Sequence, residues 1–386
     1  MNKQLENLTI HRFRGLRDLE LAGLGHVNLF VGANNSGKTT VLEALSTFCR
    51  PLDPLEWLNT AWRREVKSSR TPMLDALKWL FPQSSESANG LYTGETRVSG
   101  SGHFQVLESR ATFSEFLGVG GPDETATSSS GAVDEDLEDA SVQTSEGRRR
   151  GADLGLRAVT RFDQIQLFDH RSTTEFSEMF RLWEDERFTI RKASTAPLLP
   201  VATISPVSHG VEQVQIMRFT EATLEGITKR EVLDMVRLMD PGVQDMEILS
   251  RQGIRPTLYI RHRDVGLSPL SAFGDGVRRI LMIALTLPTV KNGVLLVDEI
   301  ETAIHTSALS QAFAWLVQAC AHSNVQLFAT THSIEAVDAL LEVTAGKRHP
   351  EFVVYRLQRT PEATTAKRLD HQKLSTLREE LGQEVR

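Results

Sequence analysis

Residues 8–31 alternate between apolar and polar positions in a pattern that predicts β-strands. The segments LTIHRF, LRDLELAGL and VNLFVG follow one another there, and such alternation is typical of strands with one buried face. The spacing becomes helical over residues 39–49, where apolar side chains share one face at Val41, Leu42, Leu45 and Phe48. The sequence therefore predicts strands, a loop and a helix in succession over residues 8–49.

After residue 200, strand-like and helix-like segments alternate. Helical spacing covers residues 228–239, 276–287, 307–322 and 333–343, and short apolar runs predict strands at 257–262, 294–297 and 325–329. A shorter helix is predicted at 74–81. Alternation of strands with helices favours an α/β fold with a mostly parallel sheet covered on both faces.

Residues 84–200 interrupt this pattern. Short apolar segments at 103–107, 156–162 and 188–192 predict the strands of an inserted antiparallel lobe. Residues 119–151 are polar, acidic and low in complexity, and we expect a flexible loop because they bury too little apolar area to offset their ordering entropy. The predicted division assigns 1–83 and 201–345 to the α/β domain, 84–200 to the insert and 346–386 to a C-terminal strand and helix extension.

The composition is that of a soluble globular protein. The 386 residues are 40% hydrophobic and 24% charged, and the net charge of −7 does not favour nucleic-acid binding by the molecule as a whole. Basic clusters at 148–150, 261–263 and 278–279 are either solvated faces or DNA contacts.

The cysteines and the lack of targeting segments indicate the cellular compartment of the protein. Cys49 and Cys320 stand in apolar, helix-like contexts and are interpreted as buried thiols in a reducing environment. The N-terminal residues have no signal-peptide pattern, and no stretch approaches the roughly 18 apolar residues of a membrane span. A cytoplasmic protein without a membrane segment is expected.

The segment GANNSGKTT at residues 32–40 fits the phosphate-loop pattern G-x-x-x-x-G-K-[ST]. Its glycines allow main-chain N–H groups to curl around phosphate oxygens, and the start of the following helix favours the same anion. Lys38 is expected to reach the β- and γ-phosphates and Thr39 to bind Mg²⁺. The predicted strand before it and helix after it disfavour a chance match. The candidate nucleotide-binding residues are Gly32, Asn34, Asn35, Ser36, Gly37, Lys38, Thr39 and Thr40.

Two acids, Asp298 and Glu299, directly follow the apolar run 294–297. Because the carboxyl ends of parallel strands meet at one sheet edge, we expect both beside the phosphate loop. Asp298 suits Mg²⁺ binding, and Glu299 suits a base that orients the attacking water. His332 follows the next predicted strand and is expected to contact the γ-phosphate. The alternatives are solvated acids and a surface or capping histidine.

The stretch LSAFGDG at residues 270–276 opens a predicted helix. Its serine hydroxyl and main-chain amides predict a second anion-binding helix start, and the alternative is an ordinary capped helix. One nucleotide needs only one cradle from each monomer, so a second cradle implies that ATP is shared between two subunits. The candidate residues here are Ser271, Gly274 and Gly276.

In this order, the phosphate loop, the serine–glycine stretch, the acidic pair and the histidine resemble the ABC-type ATPases. LSAFGDG lacks the paired glycines of the transporter signature LSGGQ, and DEIETAIH at residues 298–305 places His305 at the D-loop position. These FGDG and DEIE-x-x-x-H patterns are similar to those of RecF-like and OLD-like (overcoming-lysogenization-defect) ATPases. The opening segment IHRFRGL at residues 10–16 is similar as well.

The resemblance implies an ABC head domain that closes as a homodimer, or within a higher oligomer, around two ATP molecules. Lys38 of one subunit and the signature of the other would hold each nucleotide. Glu299 would act as general base, and His332 and His305 would complete the site across the interface.

Three further positions are implied less directly. Gln83 is the candidate for the family's glutamine loop and its metal contact. Arg12 and Arg14 would approach the base or the phosphates.

The expected function depends on which subgroup of ABC-type ATPases the sequence resembles. Residues 84–200 show no heptad pattern that would indicate a chromosome-structure protein. OLD nucleases continue into a metal-dependent Toprim domain, but residues 368–386 lack its acidic cluster. We therefore expect an OLD-type ATPase without its nuclease, acting as sensor or regulator of a separately encoded effector, a nuclease or toxin, in bacterial anti-phage defence.

Three alternatives differ in their support. A RecF-like protein that clamps DNA is the alternative that the basic clusters support. A transporter subunit is disfavoured by LSAFGDG. An inactive scaffold is disfavoured because Lys38, Asp298, Glu299 and His332 are all present.

Overall fold

The computed structural model describes residues 3–65, 71–86, 91–118, 149–161, 173–184, 196–210, 212–224, 229–250, 256–346 and 350–385. The strands in these ranges are β1 Asn7–Phe13, β2 Leu16–Ala22, β3 Val27–Val31, β4 Gln83–Glu86, β5 Tyr92–Ser101, β6 Val106–Gly118, β7 Arg149–Arg161, β8 Thr173–Trp183, β9 Val201–Ile204, β10 Val243–Leu249, β11 Thr257–His262, β12 Gly266–Pro269, β13 Val294–Val297, β14 Gln326–Thr330, β15 Phe352–Arg359 and β16 Thr364–Asp370. The helices are α1 Lys38–Cys49, α2 Pro54–Ala61, α3 Met73–Lys78, α4 Glu212–Leu224, α5 Lys229–Met239, α6 Asp275–Thr286, α7 Leu309–His322, α8 Ile334–Val343 and α9 His371–Ser375.

A six-stranded sheet has the order β16-β15-β3-β14-β13-β9. Its neighbouring strands run parallel except for β15 and β16. The register pairs Val297 with both Ala329 and Ile204, and Thr330 with Phe30. The carboxyl ends of β9, β13, β14 and β3 therefore lie at one sheet edge, and the segments that follow these strands emerge there together.

Both faces of this sheet are buried. Leu295, Val297 and Leu327 belong to a core that they share with α6, α7 and α8. Leu296 and Phe328 belong to a second core with α1 and the antiparallel strands. Because successive residues of a strand point to opposite faces, β13 and β14 must be apolar throughout, which accounts for the uninterrupted apolar runs that predicted them.

A second, antiparallel sheet has the order β2-β1-β5-β6-β7-β8, with β4 paired to β5. Ile10 in β1 pairs with Val98 in β5, so the sheet continues from the N-terminal strands into residues 91–118. The predicted α/β class with a mostly parallel sheet and an antiparallel lobe is confirmed. The predicted division at residue 83 stays a prediction.

The structure corrects two details of the lobe. The strand predicted at 103–107 begins too early, because the chain turns at Gly102, with a φ of +152°, and β6 begins only at Val106. The loop predicted at 119–151 ends too late, because Gly151 already pairs with Phe116 and Trp183 within the sheet. Residues 119–148 and the predicted strand 188–192 lie outside the described residues.

A small antiparallel sheet, β10-β11-β12, precedes the signature segment. It packs with α4, α5 and α6 in the same core as one face of the main sheet. The predicted segments 257–262 and 294–297 coincide with β11 and β13, and the helix predicted at 276–287 is α6, shifted by one residue.

Candidate active site

The loop between β3 and α1 is shaped by its glycines. Gly32 and Gly37 adopt φ values of 146° and 97°, in the region that favours glycine. A Cβ at Gly32 would lie 2.4 Å from the Leu357 carbonyl oxygen. Ser36 is buried, and its hydroxyl has no hydrogen-bond partner in the described part of the chain. Asn34 and Asn35 are exposed. The loop is thus a tight cradle with an unsatisfied hydroxyl inside it.

Lys38 bends back into this cradle. Its Nζ donates hydrogen bonds to the carbonyl oxygens of Gly32, at 2.7 Å, and Ala33, at 3.1 Å. Burial lowers the pKa of the ammonium group, and the nearby carboxylates of Asp298, Glu299 and Glu301 oppose that shift. Lys38 therefore places a positive charge between the loop and three acids.

Thr39 and Asp298 meet at the edge of the parallel sheet. The Thr39 hydroxyl donates to Asp298 Oδ1 and Oδ2 at 3.2 and 3.1 Å. Thr330, the last residue of β14, donates its hydroxyl to Asp298 Oδ1 at 2.6 Å. The structure thus joins the first turn of α1 to the acid that follows β13.

Glu299 adopts a left-handed conformation, with a φ of 48°. Its main-chain N–H donates to the Thr330 hydroxyl at 2.8 Å, and its Oε2 accepts a hydrogen bond from Thr302 at 3.1 Å. Since left-handed backbone is uncommon outside glycine, contacts on both sides hold this residue in place.

His332 lies on the exposed surface just after β14. Its main-chain N–H donates to Glu301 Oε1 at 3.0 Å. Ser333 caps α8 by accepting a hydrogen bond from the Ala336 N–H. The capping role offered as an alternative for the histidine thus belongs to Ser333, and the His332 ring is left at the surface beside the acidic turn.

The signature segment forms a 3₁₀ turn, Leu270–Ala272, followed by α6. Ser271 and Gly274 are exposed. A Cβ at Gly276 would lie 2.8 Å from the Ala303 carbonyl oxygen, so α6 packs closely on the turn after Glu299. In the described ranges, no hydrogen bond or ion pair joins residues 270–276 to residues 32–40.

Three other predicted residues, His305, Gln83 and Thr40, take no part in the contacts described above between Lys38, Thr39, Asp298 and Glu299. His305 is exposed and its Nδ1 lies 2.8 Å from the Ser307 hydroxyl. Gln83 begins β4, where its main chain pairs with Gly94, and its side chain lies outside the described part. Thr40 is buried and accepts a hydrogen bond from Arg64.

Arg14 does not reach the acids after β13. It forms an ion pair at 2.8 Å with Glu43, a fully buried residue of α1. Arg64 pairs with the same carboxylate at 2.7 Å. The expectation that Arg14 approaches the base is therefore corrected: it braces the helix that begins at Lys38.

Sequence reasoning missed Thr330, Glu301 and Arg279 as members of this site. The fully buried guanidinium of Arg279 donates to the main-chain oxygens of Asp298 and Glu299 at 2.9 and 3.2 Å. The repeated acid in DEIE and the threonine pair after β14 were visible signals for Glu301 and Thr330. Arg279 appeared only as part of a basic cluster.

The basic clusters are largely neutralised by neighbouring carboxylates. Arg150 pairs with Asp75 and Glu115, each at 2.6 Å, and with Glu184 at 3.2 Å. In the second cluster, Arg261 pairs with Glu247 at 3.1 Å. These guanidinium groups are already satisfied within the chain, which counts against free phosphate-binding patches there.

Two known families match the parts of the chain that build this site. Residues 4–79 match a family described as "AAA ATPase domain". Residues 228–338 match a family described as "AAA domain, putative AbiEii toxin, Type IV TA system". An uncharacterized protein of Methanocaldococcus jannaschii is 35% identical over 113 residues, which are 29% of this chain and 98% of that protein. The chain therefore belongs to the same family as that protein, and two of its segments are similar to AAA-family ATPase domains.

Two other relatives of the chain have a lower identity or a shorter matching segment. An ATP/GTP phosphatase of Helicobacter pylori is 19% identical over 357 residues, which are 89% of each chain. The DNA replication and repair protein RecF of Acinetobacter baylyi is 50% identical over 42 residues, which are 11% of this chain and 12% of that protein.

Solved structures of SMC head domains resemble the chain weakly. An SMC head bound to the C-winged helix domain of ScpA has 12% identity and a TM-score of 0.45, covering 96% of this chain and 99% of that one. The SMC head domain from Thermotoga maritima has 11% identity and a TM-score of 0.42 over 95% of this chain and 100% of that one.

Among the described residues, no helix is long and apolar enough to cross a membrane.

Proposed function

We propose that this protein binds ATP with Mg²⁺ and hydrolyses the ATP to ADP and phosphate. The observation that carries the proposal is the hydrogen bonding of Thr39 to Asp298 near Lys38, whose charge interacts with Asp298 and Glu299. A phosphate cradle, a cation and two carboxylates converge at the carboxyl edge of a parallel sheet, where α/β proteins bind nucleotides.

The donors present fit these ligands. The glycine-lined loop is too tight for a Cβ at Gly32 and holds the buried, unpartnered Ser36 hydroxyl, as a site that approaches phosphate oxygens closely would require. The Thr39 hydroxyl and Asp298 carboxylate are hard oxygen donors of the kind that Mg²⁺ prefers. When bound, Mg²⁺ supplies neutralisation of the phosphate charge.

The chemistry assigned to the chain is proton transfer and positioning. Lys38 stabilises negative charge on the β- and γ-phosphates. Glu299 accepts a proton from water, whose oxygen bonds to the γ-phosphorus as the bond to the β–γ bridging oxygen breaks. Thr302 orients the Glu299 carboxylate through its hydrogen bond. The products are ADP and phosphate.

We further propose that each ATP is shared between two copies of the chain. Ser271 and Gly274 are exposed and without described bonds to their own phosphate loop, so a second subunit can present them to it. Exposed His305 and His332 suit the same interface. The resemblance of LSAFGDG and DEIETAIH to RecF-like and OLD-like ATPases supports this arrangement.

Phosphate release from ATP tests the hydrolysis proposal. The wild type should release phosphate only with Mg²⁺. Lys38→Ala should lose ATP binding, whereas Glu299→Gln should bind ATP but hydrolyse it about a hundredfold or more slowly, the usual contribution of a general base. Equal rates in the wild type and Glu299→Gln would remove Glu299 from the mechanism.

In the cell, the proposed role is a cytoplasmic sensor or regulator of a separately encoded effector, a nuclease or toxin, in anti-phage defence. The description of the family that matches residues 228–338, which names a toxin, supports an association with toxin systems. ATP can drive such a switch only through different affinities for its open and closed states. Co-purification of Glu299→Gln with the product of the neighbouring gene, with and without ATP, tests it. No co-elution in either condition would count against a partner.

A RecF-like role in DNA binding is the second candidate. The local match to a RecF protein favours it, and the carboxylate partners of Arg150 and Arg261 weigh against it. Fluorescence anisotropy with labelled duplex DNA at low salt, with and without ATP, distinguishes this DNA-binding role from regulation of an effector. ATP-dependent binding that weakens steeply with added salt would support the DNA role.

A further inference from the structure

Arg279 is a fully buried arginine that no step of the proposed chemistry uses. It lies in α6, after the signature segment. Burial lowers its pKa to about 10, with Asp298, Glu299 and Glu301 opposing the shift. Burying a guanidinium is costly unless strong hydrogen bonds compensate for the lost water. The hydrogen bonds that Arg279 makes therefore indicate its role in the structure.

All three described hydrogen bonds of this guanidinium go to main-chain oxygens. One Nη donates to the Ser205 carbonyl, and the other donates to the carbonyls of Asp298 and Glu299 at 2.9 and 3.2 Å. Ser205 follows β9, and the two acids follow β13. Arg279 thus joins the ends of two parallel strands where the candidate catalytic acids begin.

The position of these oxygens matters for Glu299. Its φ of 48° is a conformation that non-glycine residues rarely adopt without support. Arg279 fixes the carbonyls on both sides of that residue's N–Cα bond, while Thr330 fixes its N–H. Together these contacts hold the main chain from which the Glu299 carboxylate projects toward Thr302.

The residue type fits this task. A guanidinium is planar and presents five donors in a fixed fork, so one side chain can serve several carbonyls on two strands. A lysine carries a single ammonium centre and cannot reproduce that geometry. An apolar residue would fill the space but leave three carbonyl oxygens unpaired.

We propose that Arg279 is a positioning residue for Glu299: it holds the main chain of the general base and ties it to the helix that carries the signature. This inference rests on the proposed ATPase function. Its consequence is specific, because Arg279 should affect hydrolysis only while Glu299 is present to be positioned.

A double-mutant cycle tests this dependence. Arg279→Lys should lower kcat about tenfold or more, a part of what a general base contributes. Its Kd for ATP should stay within about twofold, since the cradle is intact. In a Glu299→Gln background, Arg279→Lys should change the residual rate by less than about twofold. An equal further loss there would overturn the proposal, because a residue that only supports the fold would lower both rates alike.

Arg237→Lys is the matched control. Arg237 also donates to main-chain oxygens, those of Val243 and Gln244, each at 2.8 Å, but it braces β10 instead of β13. Its replacement should leave kcat unchanged. If Arg279→Lys does not fold, Arg279→Gln takes its place in the cycle, because a neutral amide carries no buried charge.

Hydrogen–deuterium exchange gives a readout independent of activity. Arg279→Lys should raise exchange in a peptide covering residues 298–300, and Arg237→Lys should not. If the wild type proves unable to hydrolyse ATP, the proposed function fails, and faster exchange would still show that Arg279 holds this turn. Unchanged exchange in Arg279→Lys would overturn the inference even in an active ATPase.

Discussion

Thr39 and Asp298 are 259 positions apart in the chain, yet the Thr39 hydroxyl lies 3.1 Å from Asp298 Oδ2. The parallel sheet brings them together, because β3 and β13 flank β14 and end at the same edge. The contact places a helix start, which favours anions, beside a carboxylate, which favours cations. A nucleotide with its metal ion satisfies both requirements at once.

Thr330 is predicted to matter for catalysis although no motif names it. Thr330→Val removes hydrogen bonds to Asp298 Oδ1 and to the Glu299 N–H, at 2.6 and 2.8 Å. We expect kcat to fall about tenfold or more, in line with the roughly 1.5–3 kcal/mol that a hydrogen bond to a charged group contributes. Phosphate-release kinetics checks this. Thr344→Val, which removes a hydroxyl that bonds the Leu340 carbonyl in α8, should leave kcat unchanged.

Gly32 should not tolerate a side chain. Gly32→Ala places a Cβ 2.4 Å from the Leu357 carbonyl oxygen, at a φ of +146°. We expect loss of ATP binding, measured by isothermal titration calorimetry, and a thermal midpoint about 1–4 °C lower, as a destabilisation of about 1–3 kcal/mol would produce in a chain of this length. Gly15→Ala is the control, since nothing lies within 4 Å of a Cβ there. Normal ATP binding by Gly32→Ala would contradict the tight-cradle geometry.

Glu43 is predicted to be a major determinant of stability. Its fully buried carboxylate pairs with Arg14 at 2.8 Å and Arg64 at 2.7 Å. Glu43→Gln leaves two arginines without their counter-charge, and we expect a loss of about 3–5 kcal/mol in the free energy of unfolding. Glu108→Gln, which breaks a surface pair with Arg97, should cost at most about 1 kcal/mol. Urea unfolding measures both, and similar losses would contradict the predicted difference.

His209 should make stability fall in mild acid. Burial lowers its pKa, nearby Arg279 and Arg278 lower it further, and Asp275 opposes them. The folded state therefore binds this proton less readily than the unfolded state. Stability is lost as the pH falls from the unfolded pKa of about 6.5 toward the lower folded value, and the loss is complete below it.

Thermal unfolding at two pH values measures this contribution. His209→Gln cannot take up the proton, so its midpoint should fall less than that of the wild type between about pH 7.5 and about pH 5.5. Equal decreases in the two proteins would show that His209 does not contribute.

The sequence was sufficient for the elements that carry the motifs. The runs 294–297 and 257–262 are strands with those bounds. Every residue of β13 is buried, so the whole run is apolar, whereas β11 alternates between buried and more exposed residues. Helix α4 was not predicted: Met217 and Leu224 are 60% and 83% exposed, so its apolar pattern does not follow its buried face. The end of the loop at Arg149 was missed because pairing partners in β6 and β8 decide it.

The site was predictable only where local motifs define it. Lys38, Thr39, Asp298 and Glu299 were named from their own segments, and the structure brings them together. Arg279 and Glu43 were not assigned to the site, because a buried charge is recognised by its partners and both residues meet their partners only through tertiary contacts. Arg14 was expected near the base or the phosphates, because the sequence does not show that this arginine pairs with the buried Glu43.

Complementation between two inactive variants tests the shared site most directly. Lys38→Ala removes the phosphate-binding lysine of one site, and Ser271→Arg places a bulky side chain on the exposed signature segment. Each alone should lack ATP hydrolysis. In a heterodimer of the two, one composite site keeps an intact Lys38 and an intact Ser271, so a co-expressed mixture should recover about a quarter of the wild-type rate. A mixture no more active than its components, or full activity of Ser271→Arg alone, would contradict sharing of ATP between subunits.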